Sequence, residues 1–180
     1  LRDDVKNGAY GLKIHPVIQR VSPADSRMAR VLEAFQPLGR PVLIHAGKYE
    51  YYPAGEMKRN IPEYGAIAPI AEMIRAFPKI RFIVGHAGLF WRREVCARLA
   101  GCDNVWVDTS FQSPHSIRAL IRAFGPDRVM FASDWPYGMR PPHMSAVRIA
   151  CRGDRALENR LFSDNAAELL GIDVKRAGKA

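Results

Sequence analysis

The sequence predicts an α/β fold in which helices pack on a largely parallel sheet. Five short apolar runs occur along the 180 residues, and each is rich in Val, Ile, Leu or Phe on both faces. Strands of a parallel sheet covered by helices have this near-continuous apolarity, whereas half-exposed strands alternate between polar and apolar residues. Amphipathic helical segments separate the runs, giving one strand and one helix in about every 30 to 45 residues. No linker-like or low-complexity segment divides them, so we predict a single domain.

Five segments are predicted as strands because each is too short for a helix and is bounded by Gly, Pro or charged residues. In chain order they are YGLKIHP (10–16), PVLIHAG (41–47), IRFIVGHAG (80–88), NVWVDTS (104–110) and RVMFASDWP (128–136). Five strands with following helices fit either a doubly wound sheet or part of a (β/α)8 barrel.

Helices are predicted between the strands, where a polar start precedes an amphipathic segment that ends at Gly or Pro. The first, SPADSRMARVLEAFQPLG, is predicted to have Ser22 as its N-cap, Pro23 as its first residue and Gly39 after its end. Its apolar residues recur at helical spacing: Met28, Val31, Leu32 and Phe35. The same pattern predicts helices in YGAIAPIAEMIRAFP, SPHSIRALIRAFG and SDNAAELLG.

Composition excludes several classes of protein. The formal net charge is +9 at pH 7, but the 27 Lys and Arg residues are scattered, so we expect no nucleic-acid partner. No apolar segment approaches the roughly 18 to 20 residues of a membrane-spanning helix, and the start, LRDDVKNGAYG, has no secretory pattern. Cys96, Cys102 and Cys151 form no CxxC pair and fit a reducing compartment. We therefore expect a cytoplasmic protein without a membrane partner.

Every predicted strand ends in ionisable side chains, which are Lys13 and His15, His45, His86, Asp108 and Asp134. In a barrel the carboxyl ends of the strands face one mouth, so residues that are distant in sequence converge there. Neutral imidazoles and a carboxylate suit Zn²⁺ or a similar divalent ion. For any single strand-end histidine, the alternative is a buried imidazole bonded to backbone groups.

The motifs also resemble those of a known family. GLKIHP, PVLIHAG, FIVGHAG, NVWVDTS, FGPDRVMFASDWPYG and the closing NAAELLGI together resemble the amidohydrolase superfamily, specifically its amidohydrolase-related branch (amidohydrolase family 2). That branch includes aromatic-acid decarboxylases and lactone or amide hydrolases. The resemblance implies a (β/α)8 TIM barrel in which the five runs are strands four to eight. Residues 1–180 would then be the C-terminal part of one barrel domain, an incomplete barrel of about five βα units.

The resemblance also implies roles for residues at the strand ends. His45 would bind the metal, while His86 would bind it or orient substrate and water. Asp134 would bind the metal, take a proton from its water, or do both. Lys13 occupies the strand in which binuclear relatives carry a metal-bridging lysine, but we do not assign it as a ligand. Its alternative is an ion pair with Asp108 or Asp134 inside the barrel.

The activity implied by the resemblance is hydrolysis of an amide or lactone bond in a small, carboxylate-bearing substrate, through water activated by a divalent ion. We expect Zn²⁺ first and Mn²⁺ second. Non-oxidative decarboxylation of an aromatic or related carboxylic acid, a lyase reaction, is the alternative. A catalytically inactive remnant or regulatory module is the second alternative, because the family's first-strand His-x-His pair does not occur in this sequence.

Loops after the strands carry aromatic and cationic side chains that suit a planar carboxylate. The residues predicted to bind substrate are Lys13, His15, Tyr49, Trp91, Arg92 and Trp135, and those predicted to act in catalysis are Asp134 and His86. The partner we expect is a small-molecule substrate, and assembly into a homo-oligomer is left open.

Overall fold

Five parallel strands form one sheet in the order in which they follow one another along the chain. The structure is a computed structural model that describes residues 1–173. Its strands are β1 (Leu12–Ile14), β2 (Val42–His45), β3 (Phe82–Gly85), β4 (Val105–Asp108) and β5 (Val129–Met130). Barrels keep this sequential order, whereas doubly wound sheets reverse it at a switch point, so the order favours the barrel. The predicted domain extends to residue 180, and its last seven residues lie outside the described residues.

Helices connect the strands and continue after the last one. Those within the described residues are α1 (Arg2–Lys6), α2 (Pro16–Gln19), α3 (Ser26–Phe35), α4 (Ile67–Ala76), α5 (Arg92–Leu99), α6 (Pro114–Phe124), α7 (Arg140–Cys151), α8 (Arg155–Asn159) and α9 (Asn165–Leu170). Further helical turns lie at Gln36–Leu38, Ala54–Arg59, Pro62–Gly65, His86–Trp91, Pro126–Arg128 and Arg160–Asp164. Within residues 1–173, no helix combines the length and apolarity needed to cross a membrane.

One face of the sheet forms the core. Two rows of fully buried side chains cross the paired strands on this face: Val42, Phe82 and Val105, and then Ile44, Val84 and Val107. Full burial of such a side chain stabilises the fold by about 1.5–3 kcal/mol. The other face carries the half-buried Leu43, Ile83 and Trp106. Apolar residues on both faces explain why the strands have no polar alternation.

The predicted start of the first long helix is wrong. α3 begins only at residue 26, because Asp25 and not Ser22 provides the cap. The Oδ1 atom of Asp25 accepts the backbone N–H of Arg27 at 2.8 Å. The Ser22 hydroxyl instead accepts the N–H of Ala24 at 3.2 Å, which closes a local turn before the helix.

The sequence pattern did not predict α5 or α7. Only Val95 and Leu99 of α5 are buried, so its apolar stripe is too sparse to give a periodic signal. α7 has two prolines in its first turn, which is a position that tolerates Pro. In the sequence, however, such a pair of prolines resembles a loop. Tertiary packing therefore supports both helices more than their own pattern does.

Candidate active site

A cavity of about 490 Å³ lies at the carboxyl ends of the strands. Its lining residues are Lys13, His15, Ile18, His45, Tyr49, Tyr51, His86, Leu89, Phe90, Phe111, Asp134 and Tyr137. They come from the carboxyl ends of all five strands and from the segments that follow them, because parallel strands present these ends at the same edge of the sheet. The three residues predicted as metal ligands, His45, His86 and Asp134, thus lie around one cavity.

Three histidine rings form a cluster in this cavity. His15 stacks on His45 with ring centroids 4.0 Å apart and planes 7° from parallel. The ring of His86 lies 5.0 Å from that of His45 at a tilt of 58°. Strand pairing produces the stack, since Ile14 pairs with Ile44 and each histidine is the next residue along the chain.

Both stacked histidines are held neutral. Burial lowers the pKa of His45 to about 2, and the neighbouring His15 and His86 add to the shift. Burial also lowers the pKa of His15 to about 4, with a further contribution from the Lys13 cation. A neutral imidazole is the form that binds a metal ion.

His45 has one ring nitrogen in the state that a metal requires. Its Nε2 atom lies 3.1 Å from the carbonyl oxygen of Gly47. A carbonyl oxygen can only accept, so Nε2 carries the proton and Nδ1 keeps its lone pair, with the Tyr51 hydroxyl oxygen 3.5 Å away. Metal-ligating histidines show this pattern, in which the second ring nitrogen donates to a backbone carbonyl or carboxylate.

The described residues nevertheless fit only part of a metal site. Among residues 1–173, no group of three or more His, Cys, Asp or Glu side chains is arranged so that it could hold an ion. His45 has the correct chemistry, and His86 and Asp134 line the same cavity. Their placement alone does not complete a coordination sphere.

The side chain of Tyr51, in the loop after β2, lies against the histidine cluster. Its hydroxyl oxygen lies 3.1 Å from Nε2 of His45, and its ring meets His15 edge-on at 4.7 Å. Burial raises the pKa of Tyr51, so the phenol stays protonated. The Asn60 side chain fixes this loop, because its Oδ1 accepts the backbone N–H groups of Tyr51 and Tyr52, both at 2.9 Å.

Lys13 and Asp134 bring opposite charges to the cavity. Desolvation lowers the pKa of the Lys13 amine, and the carboxylates of Asp108 and Asp134 oppose that shift. Lys13 forms no ion pair with a carboxylate of residues 1–173. Its ammonium is therefore available to a ligand. Asp134 is half-buried and has a φ of 55°, a left-handed conformation that is uncommon for a non-glycine residue.

The turn after β3 has an unusual backbone. The φ angles of His86, Ala87, Gly88 and Leu89 are 58°, 42°, 79° and 55°. Each non-glycine residue in this region costs about 1–3 kcal/mol, so surrounding contacts must hold the turn in place. The buried Gln112 does so, since its Nε2 donates to the carbonyl oxygens of His86 and Leu89 at 2.7 and 3.1 Å.

Three of the predicted substrate-binding residues are not among those that line the cavity. Trp91 packs edge-on against Phe90 with centroids 6.3 Å apart, and Arg92 begins α5. Trp135 is 63% exposed and lies under the guanidinium of Arg140 at 5.4 Å. The other three, Lys13, His15 and Tyr49, do line it.

Six further lining residues are not among the predicted substrate-binding residues. They are Ile18, Tyr51, Leu89, Phe90, Phe111 and Tyr137. A signal for three of the four aromatic ones is present in the sequence, because Phe90, Phe111 and Tyr137 each follow a strand-end His or Asp by three or four residues. Ile18 and Leu89 also follow a strand-end His by three residues, but an aliphatic side chain at that position resembles an ordinary core residue.

Comparison with known proteins relates the chain to one family. The sequence model of the family described as Amidohydrolase matches residues 1–172. No curated protein matches the chain. Among solved structures, Amidohydrolase 2 from Bifidobacterium longum subsp. infantis is 20% identical, with a TM-score of 0.64 over 92% of this chain and 62% of its own.

Two further solved structures are similar. The 5-carboxyvanillate decarboxylase from Novosphingobium aromaticivorans, complexed with manganese and 4-hydroxy-3-methoxy-5-nitrobenzoic acid, is 18% identical, with a TM-score of 0.70 over 92% of this chain and 57% of its own. A Pseudomonas putida protein, provisionally named a 2-pyrone-4,6-dicarboxylic acid hydrolase, is 20% identical, with a TM-score of 0.67 over 97% of this chain and 67% of its own. The name decarboxylase recurs in other similar structures.

The chain thus spans about 60% of the length of these similar structures. Together with the sequential parallel sheet, the matches confirm the predicted fold class, an incomplete (β/α)8 barrel.

Proposed function

This chain belongs to the amidohydrolase family, and from that premise we propose that the whole protein performs a metal-dependent reaction on a small, planar carboxylic acid. The reaction we place first is non-oxidative decarboxylation. The single observation that carries the proposal is the composition of one cavity, in which neutral histidines and Asp134 share the lining with Lys13 and several aromatic rings.

The cavity supports a planar, anionic substrate. We call Tyr49, Tyr51, Phe90, Phe111 and Tyr137 the aromatic wall. Rings of this kind favour stacked or edge-on contacts with a planar ligand. A volume of about 490 Å³ lies within the usual range of small-molecule sites, about 300–1,000 Å³. Lys13 supplies a cation for the substrate carboxylate.

His45 is the residue we propose as a metal ligand, through the unprotonated Nδ1, with His86 and Asp134 as further ligands. A divalent ion bound there would act as a Lewis acid that polarises a substrate oxygen. Zn²⁺ and Mn²⁺ both accept imidazole and carboxylate ligands. The manganese in the Novosphingobium decarboxylase structure supports Mn²⁺ as strongly as the ligand types support Zn²⁺.

In decarboxylation, Lys13 binds the carboxylate and the aromatic wall excludes water from the reacting carbon. The bond between the ring carbon and the carboxyl carbon breaks, and its electron pair stays on the ring carbon. The carboxylate of Asp134 takes a proton from solvent water and passes it to that carbon while CO₂ leaves, which returns Asp134 to the carboxylate. The aromatic wall favours this step, because apolar surroundings raise the free energy of the localised charge on the starting carboxylate.

Hydrolysis is the second candidate, and the pairing of Asp134 with His86 at one cavity supports it. Here Asp134 would take a proton from the attacking water and pass it to the leaving group, while His86 orients that water. The name of the similar Pseudomonas protein belongs to this class of reaction.

The test uses purified full-length protein with Mn²⁺ or Zn²⁺ and three probes: 2,6-dihydroxybenzoate, 5-carboxyvanillate and 2-pyrone-4,6-dicarboxylate. Release of CO₂ reports decarboxylation, and loss of the pyrone absorbance without CO₂ reports hydrolysis. Asp134→Asn should lower turnover by about 10²–10⁴-fold. Asp103→Asn, an exposed carboxylate outside the cavity lining, should leave turnover unchanged.

Metal analysis tests the rest of the proposal. The full-length protein should hold about one divalent ion per chain, and His45→Ala should hold far less. A folded, metal-free protein that processes none of the probes would favour the remnant interpretation instead.

A further inference from the structure

Ser110 lies behind His86, in a position that sequence analysis did not single out. It is fully buried, two residues after the end of β4. Its hydroxyl oxygen is 2.7 Å from Nδ1 of His86 and 2.5 Å from Oδ1 of Asp108. The three side chains therefore form a continuous hydrogen-bonded chain that leads from the interior to the cavity.

The direction of each bond in this chain follows from the backbone. Oδ1 of Asp108 accepts two backbone N–H groups, those of His86 and Ser110, both at 3.0 Å. A carboxylate oxygen that already accepts two N–H groups has no proton to donate. The Ser110 hydroxyl must therefore donate its proton to Oδ1 of Asp108. The hydroxyl has only that one proton. It must then accept at its other contact, and Nδ1 of His86 must be the donor.

The other ring nitrogen of His86 is left for the cavity. Nε2 makes no hydrogen bond within residues 1–173, and the ring lines the cavity. If Nδ1 carries the proton of a neutral ring, Nε2 carries a lone pair. The same Asp108 oxygen anchors the His86 backbone, so the tautomer and the position of the ring are fixed by one group.

We propose that Ser110, backed by Asp108, is a positioning residue that holds His86 as the Nδ1-protonated tautomer and presents an unprotonated Nε2 to the cavity. Ser110 touches neither substrate nor metal and acts only through His86. The consequence for catalysis rests on the proposed function, because an unprotonated Nε2 can bind an ion or accept a proton there. The tautomer itself does not depend on any substrate.

The experiment reads the tautomer directly. Full-length protein labelled with ¹⁵N-histidine is treated with a chelator, and a two-bond ¹H–¹⁵N correlation spectrum distinguishes a protonated from an unprotonated ring nitrogen. The His86 signals are those lost in His86→Gln. In the unmodified protein, Nδ1 should be the protonated nitrogen. In Ser110→Ala this preference should be lost, and turnover of the best probe should fall about 10- to 100-fold.

Two variants separate positioning from general damage. Ser110→Thr keeps the hydroxyl and should keep the tautomer. Ser113→Ala removes a nearby hydroxyl that caps α6 without touching His86, and it should lower stability while the His86 spectrum stays the same. If Ser110→Ala does not fold, the spectra of the unmodified protein and Ser110→Thr decide.

A neutral His86 that carries its proton on Nε2 in the unmodified protein would overturn the proposal. So would a Ser110→Ala spectrum that still shows Nδ1 as the sole protonated nitrogen. A protein that turns over no carboxylic acid, yet shows the expected tautomer, would refute the proposed function and leave this inference standing.

Discussion

Replacement of Gln112 by Met should destabilise the protein and release the turn that presents His86. Gln112 is only 7% exposed, and its side-chain amide donates to two backbone carbonyls, those of His86 and Leu89. Met has a similar length and volume but no donor. The substitution therefore removes the two bonds without leaving a large cavity.

The expected loss can be worked out from these contacts. Each neutral hydrogen bond contributes about 0.5–1.5 kcal/mol net, and a buried carbonyl left unpaired raises the cost toward the upper end. Two such bonds give about 2–3 kcal/mol. In a protein of this size, 1 kcal/mol shifts the thermal midpoint by about 2–4 °C, so the midpoint should fall by about 4–12 °C.

Thermal unfolding followed by circular dichroism measures this shift, and hydrogen exchange of residues 86–89 reports the turn itself. Gln36→Met is the matched control, since Gln36 is half-buried after α3 and makes no side-chain hydrogen bond to residues 1–173. Its midpoint should change by less than about 2 °C. Equal shifts in the two variants, or unchanged exchange at the turn in Gln112→Met, would refute the reasoning.

Three other substitutions or measurements test neighbouring parts of the molecule. Gly65→Ala should cost about 3 kcal/mol or more, seen as a lower urea midpoint, because its Cβ would stand 2.1 Å from the carbonyl oxygen of Gly47. Asn60→Ala should cost about 1–3 kcal/mol and speed proteolysis of loop 48–62, since it removes the acceptor of the Tyr51 N–H. Burial raises the pKa of Cys151 to about 11, so alkylation by iodoacetamide at pH 9 should be much slower in the folded than in the urea-unfolded protein. The folded state also keeps this proton longer than the unfolded state, so stability should fall as the pH rises from about 9 to 11.

Each of these predictions has a matched control or an opposing outcome. Gly55→Ala should be nearly neutral, because nothing lies within 4 Å of its added Cβ. Asn60→Asp keeps the Oδ1 acceptor and should cost less than Asn60→Ala, so equal losses would argue against the loop contacts. Equal alkylation rates of Cys151 in the folded and unfolded protein would contradict its burial.

The sequence determined the strands and the positions of the residues at their ends. β2, β3 and β4 lie inside the predicted segments, and His45 closes β2 as expected. These features are local, because a short apolar run bounded by Gly or Pro has few alternatives to a buried strand. Parallel pairing then carries His45, His86 and Asp134 to one edge, whatever the intervening loops contain.

Only the tertiary structure decided what surrounds those residues. Tyr51 reaches His45 through a loop that Asn60 fixes, and Ser110 reaches His86 from the segment that follows the neighbouring strand. Trp135, predicted to face the substrate, instead lies exposed under Arg140. The direction of a loop side chain depends on contacts between segments far apart in the chain. Composition and spacing do not encode such contacts, whereas the edge of a parallel sheet is fixed by the strands alone.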